Sequence, residues 1–102
     1  MGKNRDRKSL IRVIVNLVVH EIVAKHTNKP ESTYFLNSEI IEYRSQAEKT
    51  SEKHNWSMED KGFVEKTVLK MIREKLFRKY SDVRYSEQEV IKKLKELVKE
   101  IM

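Results

Sequence analysis

The segment from residue 11 to residue 24 constrains the fold most, because apolar side chains would cover nearly every side of it as a helix. Its β-branched residues also alternate well enough between Ile11 and Val19 to pass for a strand. The polar residues Arg12, Asn16 and His20 recur every four positions, however, and this is the spacing of a single polar stripe on a helix. The local pattern favours a helix without deciding the matter.

A second segment repeats the pattern of the first and settles the choice. Residues 18–26 (VVHEIVAKH) align with residues 71–79 (MIREKLFRK), and residues 40–49 align with residues 90–99 after a slip of three residues in a loop. The second copy is helical both by propensity and by period. If the copies share a fold, the first is helical too. Chance similarity between two amphipathic helix pairs is the competing explanation.

The first half of the chain contains the signals for two helices. The first helix is predicted to run from Ser9 to about His26, and the segment around Pro30 ends it. The second is predicted to begin near Asn37 or Ser38. It would bury Ile40, Ile41 and Ala47 before it fades in the polar run 45–53, whose composition is that of a hinge.

The second half contains two capping signals for two further helices. Ser57 with Asp60 three residues later predicts the start of a third helix, and Ser86 with Glu89 predicts the start of a fourth. We therefore predict an all-α fold of four helices, built as two similar hairpins related by a pseudo-two-fold axis. Helices one and three would lie at the centre, with a groove between the hairpins.

The predicted domain organisation is a single domain over residues 1–102. Residues 1–8 would form a flexible basic arm, residues 9–53 the first hairpin and residues 54–102 the second. The longest apolar stretch is interrupted by Asn16, His20 and Glu21, so we expect no membrane span and an intracellular protein.

The positive charge of the chain is concentrated near its start. Lys and Arg number 22 against 16 Asp and Glu, for a formal net charge of +6. The first twelve residues contribute five basic side chains and one acidic one, which leaves the rest nearly balanced. Nucleic acid is therefore one predicted partner, through counterion release, and solvated surface charge is the competing interpretation. The candidate phosphate contacts are Lys3, Arg5, Arg7 and Lys8 in the arm, and Lys66, Lys70 and Arg73 on the third helix.

The residues needed for common catalytic or metal chemistry are absent or badly spaced. The chain has no Cys, so thiol nucleophiles and thiolate metal sites are excluded. His20 and Glu21 begin a zincin-like pattern, but position 24 is Ala24 where the second His is needed. Gly2 and Gly62 are isolated and form no phosphate-binding loop. We expect no enzyme activity, no metal and no cofactor.

Three large apolar residues mark a candidate binding groove. Phe63 and Phe77 fall on the charged side of the third helix, and Trp56 lies beside the predicted hinge. Exposed apolar grooves with a charged rim commonly receive a peptide or a helix, and burial by the other hairpin is the competing explanation for each residue. The leading hypothesis is a protein- or peptide-binding module, and nucleic-acid binding is the alternative. A homodimer is compatible with both.

The two matching segments, VVHEIVAKH and MIREKLFRK, carry a resemblance that extends over the whole chain. With the duplicated hairpin, the absence of Cys and the heavy use of Lys and Glu, the chain resembles the small proteins of archaeal filamentous viruses. The resemblance implies a binding protein that acts inside the host cell, in the cytoplasm. It includes no catalytic or ligand motif, so it assigns no functional residues.

Overall fold

Four α-helices make up the fold. The structure, a computed structural model, describes residues 2–26, 30–81 and 83–102, with side chains described throughout these ranges except at 30–33. The helices are α1 (Gly2–His26), α2 (Pro30–Glu52), α3 (Met58–Lys79) and α4 (Glu87–Ile101). No strand occurs in the described ranges, so the predicted all-α fold is confirmed. None of the described helices combines the length and the apolarity that a membrane span requires.

Helix α1 occupies the centre of the bundle. It packs against α2, α3 and α4, whereas no Cα atoms of α2 and α3 come within 8 Å of each other in the described residues. Its buried side chains lie on nearly every side: Leu10, Ile11, Ile14, Val15, Leu17, Val18, Val19, Ile22 and Val23. The sequence thus indicated its central position correctly.

Helix α3 does not share this central position, and the prediction of two central helices is wrong for it. It buries a single stripe consisting of Val64, Val68, Ile72 and Leu76. Its opposite side carries Phe63, Lys66 and Lys70, all of which are exposed. Because lysine side chains are costly to bury without a partner, this side of α3 faces away from the bundle.

The contacts between helices define their relative directions. Arg7 contacts Asp60 and Asn16 contacts Lys75, so α1 and α3 run parallel. Helix α4 contacts each of the other three helices. A two-fold axis between the hairpins would make the α1–α4 and α2–α3 pairings equivalent, but the first is present and the second is not, within the described residues. The duplication and its pseudo-two-fold axis stay predictions.

Residues 2–8 form the first two turns of α1. The prediction of a flexible arm that ends at Lys8, ahead of a helix starting at Ser9, is therefore wrong for these residues. Lys3 Nζ lies 3.2 Å from Asp60 Oδ2, and Arg7 Nη1 lies 3.1 Å from Asp60 Oδ1. One carboxylate at the start of α3 thus holds two cations of α1, and these contacts favour the helical conformation of the segment.

Helix α2 is longer at both ends than its sequence signals indicated. It begins at Pro30 rather than at Asn37 or Ser38, and it continues through most of the predicted hinge to Glu52. Proline suits the first turn of a helix because the amide hydrogen that it lacks would have no partner there. At the other end, Ser51 is buried and its Oγ donates a hydrogen bond to the Ile101 carbonyl, 2.5 Å away.

The buried face of α2 agrees only in part with the predicted one, and Leu36 and Ser51 are buried in addition. Ala47 is buried and Ile40 is partly buried against the core, as predicted. Ile41 is 72% exposed, so its predicted burial is wrong. The two isoleucines are adjacent in the sequence and therefore point about 100° apart on a helix. Ile40 lies on the same side of α2 as Ala47, whereas Ile41 falls outside that buried side.

Both predicted N-caps are present, but the acidic residue of the second one contacts another helix. Ser57 and Asp60 form the complete capping box at the start of α3. The Ser86 hydroxyl accepts a hydrogen bond from the Glu89 amide at 3.1 Å. The Glu89 carboxylate instead binds Lys25 at 2.8 Å and His26 at 2.7 Å. The predicted capping carboxylate therefore joins the start of α4 to the end of α1.

Truncation of the central helix is expected to be costly. Leu17 is fully buried, so Leu17→Ala should lower the free energy of unfolding by about 2–5 kcal/mol through lost burial and a residual cavity. Ile41→Ala is the control on an exposed site, with an expected change within about 0.5 kcal/mol. Urea denaturation followed by circular dichroism measures both. Equal effects would show that α1 is not the buried centre of the fold.

The pairing of Asp60 is expected to make stability depend on pH. Its hydrogen bonds with the Ser57 amide and Lys3 lower its pKa from 3.8 to about 2. The unfolded chain therefore binds more protons between these values, and the stabilisation present above about pH 4 is lost as the pH falls towards 2. The difference in unfolding free energy between the wild type and Asp60→Asn should narrow from pH 5 to pH 2.

The neighbouring Glu59→Gln is the matched control, since Glu59 forms no ion pair among the described residues. Its effect on the free energy of unfolding should change less over the same pH range. A constant effect of Asp60→Asn between pH 5 and pH 2 would contradict the role assigned to its carboxylate.

Candidate functional site

The outward side of α3 carries exposed aromatic residues beside lysines. Phe63 is 48% exposed and Phe77 is 80% exposed. They stand fourteen residues apart with Lys70 midway, and intervals of seven residues keep all three on one side of the helix. We call this surface, with Lys66 one turn before Lys70, the aromatic face. Core burial, the competing explanation for both phenylalanines, does not apply in the structure.

The N-terminal end of the aromatic face is partly covered by α1. The guanidinium carbon of Arg7 lies 4.4 Å from the ring centroid of Phe63, within the range of a cation–π contact. Arg7 is held there by its ion pair with Asp60. Phe63 is thus half covered, whereas Phe77, about four turns further along, is open to solvent.

Trp56 does not join the phenylalanines in a common groove. Its indole N–H donates to the carbonyl and to the Oγ of Ser51, each at 3.0 Å. His54 meets the indole edge to face, and the Lys3 ammonium lies 5.6 Å from the ring centroid. His54 also binds Asp6 across a 2.5 Å contact. Trp56 therefore helps to fasten the end of α2 to the start of α1.

A cleft between the two hairpins does exist, and other residues line it. It has a volume of about 330 Å³ and lies between α1 and α3. Its floor includes Val15 and Met71, and its polar walls consist of Arg12, Asn16, Glu74, Lys75, Arg78 and Lys79. We call it the basic cleft, because four of these side chains are cationic and one is anionic. None of the three predicted groove residues lines it.

The structure distributes the predicted phosphate contacts unevenly. Lys3 and Arg7 are paired with Asp60, and Arg73 is paired with Glu87 on α4. The remaining four are exposed and form no ion pair within the described residues: Arg5, Lys8, Lys66 and Lys70. The predicted basic stripe of α3 therefore loses its third member to a contact between helices.

Lys75 is the least exposed cation of the basic cleft. It is partly buried, and its Nζ donates a hydrogen bond to the side-chain oxygen of Asn16. Burial lowers its pKa, and the charge of Lys79 lowers it further. No carboxylate pairs with it among the described side chains. The ammonium is thus held in the cleft by a neutral amide.

The residues of the basic cleft come from two helices that are distant in the sequence. Arg12 and Asn16 belong to the polar stripe of the first helix, and Lys75, Arg78 and Lys79 lie in the last two turns of the third. Their convergence depends on the parallel packing of α1 and α3, which no local pattern encodes.

The histidines contact carboxylates on other parts of the chain. His20 Nε2 lies 3.2 Å from Glu39 Oε2, and its Nδ1 contacts the Asn16 carbonyl. Within the ranges that the structure describes, no group of three or more His, Cys, Asp or Glu residues is arranged to hold a metal ion.

Comparison with known proteins gives no relative on which to base a function. No family model, no curated protein and no solved structure matches the chain.

The structural role of Trp56 is testable by removal of its hydrogen-bond donor. Trp56→Phe should lower the free energy of unfolding by about 1–2 kcal/mol, because the buried Ser51 oxygens lose a partner and some packing is lost. Phe77→Leu, on an exposed site, should change it by less than about 0.5 kcal/mol. Urea titrations of the two variants provide the comparison. A smaller loss of unfolding free energy in Trp56→Phe than in Phe77→Leu would contradict the structural role of Trp56.

Proposed function

We propose that the protein is a non-enzymatic module that binds a protein or peptide segment on the aromatic face of α3. The observation that supports this most directly is the 80% exposure of Phe77 on the same side of the helix as the half-exposed Phe63. Nineteen apolar residues are buried in the core among the side chains that the structure describes, and neither phenylalanine is one of them. A large exposed apolar group that the core does not need is typical of a binding surface.

The charge of the aromatic face favours an acidic partner. Lys66 and Lys70 lie between the two phenylalanines, and neither forms an ion pair within the described residues. The phenylalanines are separated by fourteen residues, which is about 21 Å along a helix axis. An amphipathic helix of about four turns spans this distance, with apolar residues at intervals of three and four and with acidic residues beside them. We propose a segment of this kind as the ligand.

The position of the proposed site differs from the predicted groove. The sequence predicts a groove between the hairpins, whereas the aromatic face lies on the outside of α3. Trp56 belongs to the connection between α2 and α3, and its hydrogen bonds with Ser51 give it a structural role. The proposed site therefore includes Phe63 and Phe77 but not Trp56.

Nucleic-acid binding is the second candidate function. It is supported by the four exposed cations that keep no ion pair in the described structure, together with aromatic rings that are able to stack on bases. It is weakened at the predicted positions, because Lys3, Arg7 and Arg73 each already contact a carboxylate. We rank it below protein binding at the aromatic face.

Selection from a displayed peptide library tests the proposed function. The wild-type chain should enrich peptides that combine acidic residues with apolar residues at helical spacing. Fluorescence anisotropy then measures the affinity of one enriched peptide for the wild type and for Phe63→Ala/Phe77→Ala. The double variant should bind at least about tenfold more weakly, because two aromatic anchors are lost.

The control removes two exposed apolar residues from α2 instead. Tyr34 is 82% exposed and Ile41 is 72% exposed, so Tyr34→Ala/Ile41→Ala changes a comparable surface away from α3. It should alter the affinity by less than about twofold. Unchanged peptide binding by the α3 variant would refute the proposal. Binding of single-stranded DNA that depends on Phe63 and Phe77, with no peptide enriched, would favour the second candidate.

A further inference from the structure

The basic cleft is distinct from the aromatic face and has no role in the proposed function. Arg12 extends from α1, and Lys75, Arg78 and Lys79 extend from α3. The parallel packing of the two helices brings these side chains around one volume of about 330 Å³. A concave volume with several convergent polar groups is the usual form of a ligand site.

The basic cleft differs from the other contacts between helices because its cations are not paired with carboxylates. At the contacts between helices, cations meet carboxylates: Arg7 with Asp60, Arg73 with Glu87, Lys93 with Glu21. None of the four cleft cations forms an ion pair within the described part of the chain. Glu74 is the single carboxylate in the lining. The four cations line one volume with a single carboxylate, and this excess of positive charge favours an anion in the cleft.

The environment of Lys75 supports the same conclusion. Its ammonium is partly buried, and its one described hydrogen-bond partner is the neutral Asn16 side chain. Desolvation without a counterion is unfavourable for a charged group, and an anion bound next to Lys75 would offset it.

We propose that the basic cleft binds phosphate groups, supplied either by a free nucleotide or by the backbone of a single-stranded nucleic acid. The four cations around the cleft carry more positive charge than the single carboxylate of Glu74 neutralises. A pyrophosphate group or two successive phosphodiesters carries at least two negative charges within a few ångströms. Two of the cations are arginines, whose guanidinium groups match phosphate oxygens in a bidentate manner.

The polymeric source has additional support from the surface next to the cleft. Lys8 precedes Arg12 by four residues and Arg5 precedes it by seven, so they continue the same side of α1. Both are exposed and unpaired in the described structure. A row of cations of this kind extends from the cleft for about 10 Å and is suited to successive phosphates.

Titration with three phosphate ligands at low salt tests the proposal. The probes are pyrophosphate, ADP and an oligothymidylate of ten nucleotides, each added to the full chain labelled with ¹⁵N. Amide resonances of residues 12–16 and 71–79 should shift on binding. Comparable affinities for ADP and the oligonucleotide would identify the free nucleotide as the source. Tighter binding of the oligonucleotide, with a steep dependence on salt, would identify the nucleic-acid backbone.

A pair of charge-matched variants separates the cleft from general surface charge. Arg12→Gln/Arg78→Gln removes two exposed cleft cations, and Lys95→Gln/Lys99→Gln removes two exposed cations of α4. Because all four residues are exposed, both variants should fold, and circular dichroism checks this. The cleft variant should bind the tightest of the three probes about tenfold more weakly or worse, and the control within about twofold. For the cleft variant and the oligonucleotide, the slope of log affinity against log salt concentration should become shallower by about 1.4, because two phosphate contacts are lost.

Three results would overturn the proposal. The first is no binding of any of the three probes at low salt. The second is an equal loss of affinity in the cleft variant and the α4 variant, since this would indicate diffuse attraction. The third is tighter binding of polyglutamate than of the oligonucleotide and ADP, which would assign the cleft to an acidic peptide.

Discussion

The burial of α1 on nearly every side is the constraint on which the rest of the structure depends. One neighbouring helix cannot cover a helix that has apolar residues around most of its circumference. Helices α2, α3 and α4 all pack against α1. The other three helices are amphipathic and each needs one apolar face covered. Their outward sides face solvent, and on α3 this side carries Phe63 and Phe77, which the core leaves exposed.

Polar contacts at both ends of α1 add direction to this apolar packing. Asp60 holds Lys3 and Arg7 near the start of the helix, and Glu89 holds Lys25 and His26 at its end. Exposed ion pairs contribute little stability individually, but each of these joins a helix terminus to a particular partner. They align α1 in parallel with α3 and antiparallel to α4. The basic cleft exists because of that alignment.

Features that depend on local sequence were predictable, and features that depend on pairing were not. The caps at Ser57 and Ser86 and the central position of α1 follow from short-range pattern. The helical conformation of residues 2–8 is favoured by contacts with Asp60, more than fifty residues away, which no local pattern indicates. The phenylalanines could be placed on one side of a helix, but only the packing shows which side faces outward. The cleft combines residues of two helices and has no local signal.

The buried hydroxyl of Ser51 has a spectroscopic consequence. It accepts a hydrogen bond from the indole of Trp56 and donates one to the Ile101 carbonyl at the end of α4. The chain contains a single tryptophan, so its emission reports one defined environment. Detachment of the last turn of α4 would break this relay and change the solvation of the indole. Intrinsic fluorescence therefore monitors local opening at the C-terminal end of the bundle, separately from global unfolding followed by helical circular dichroism.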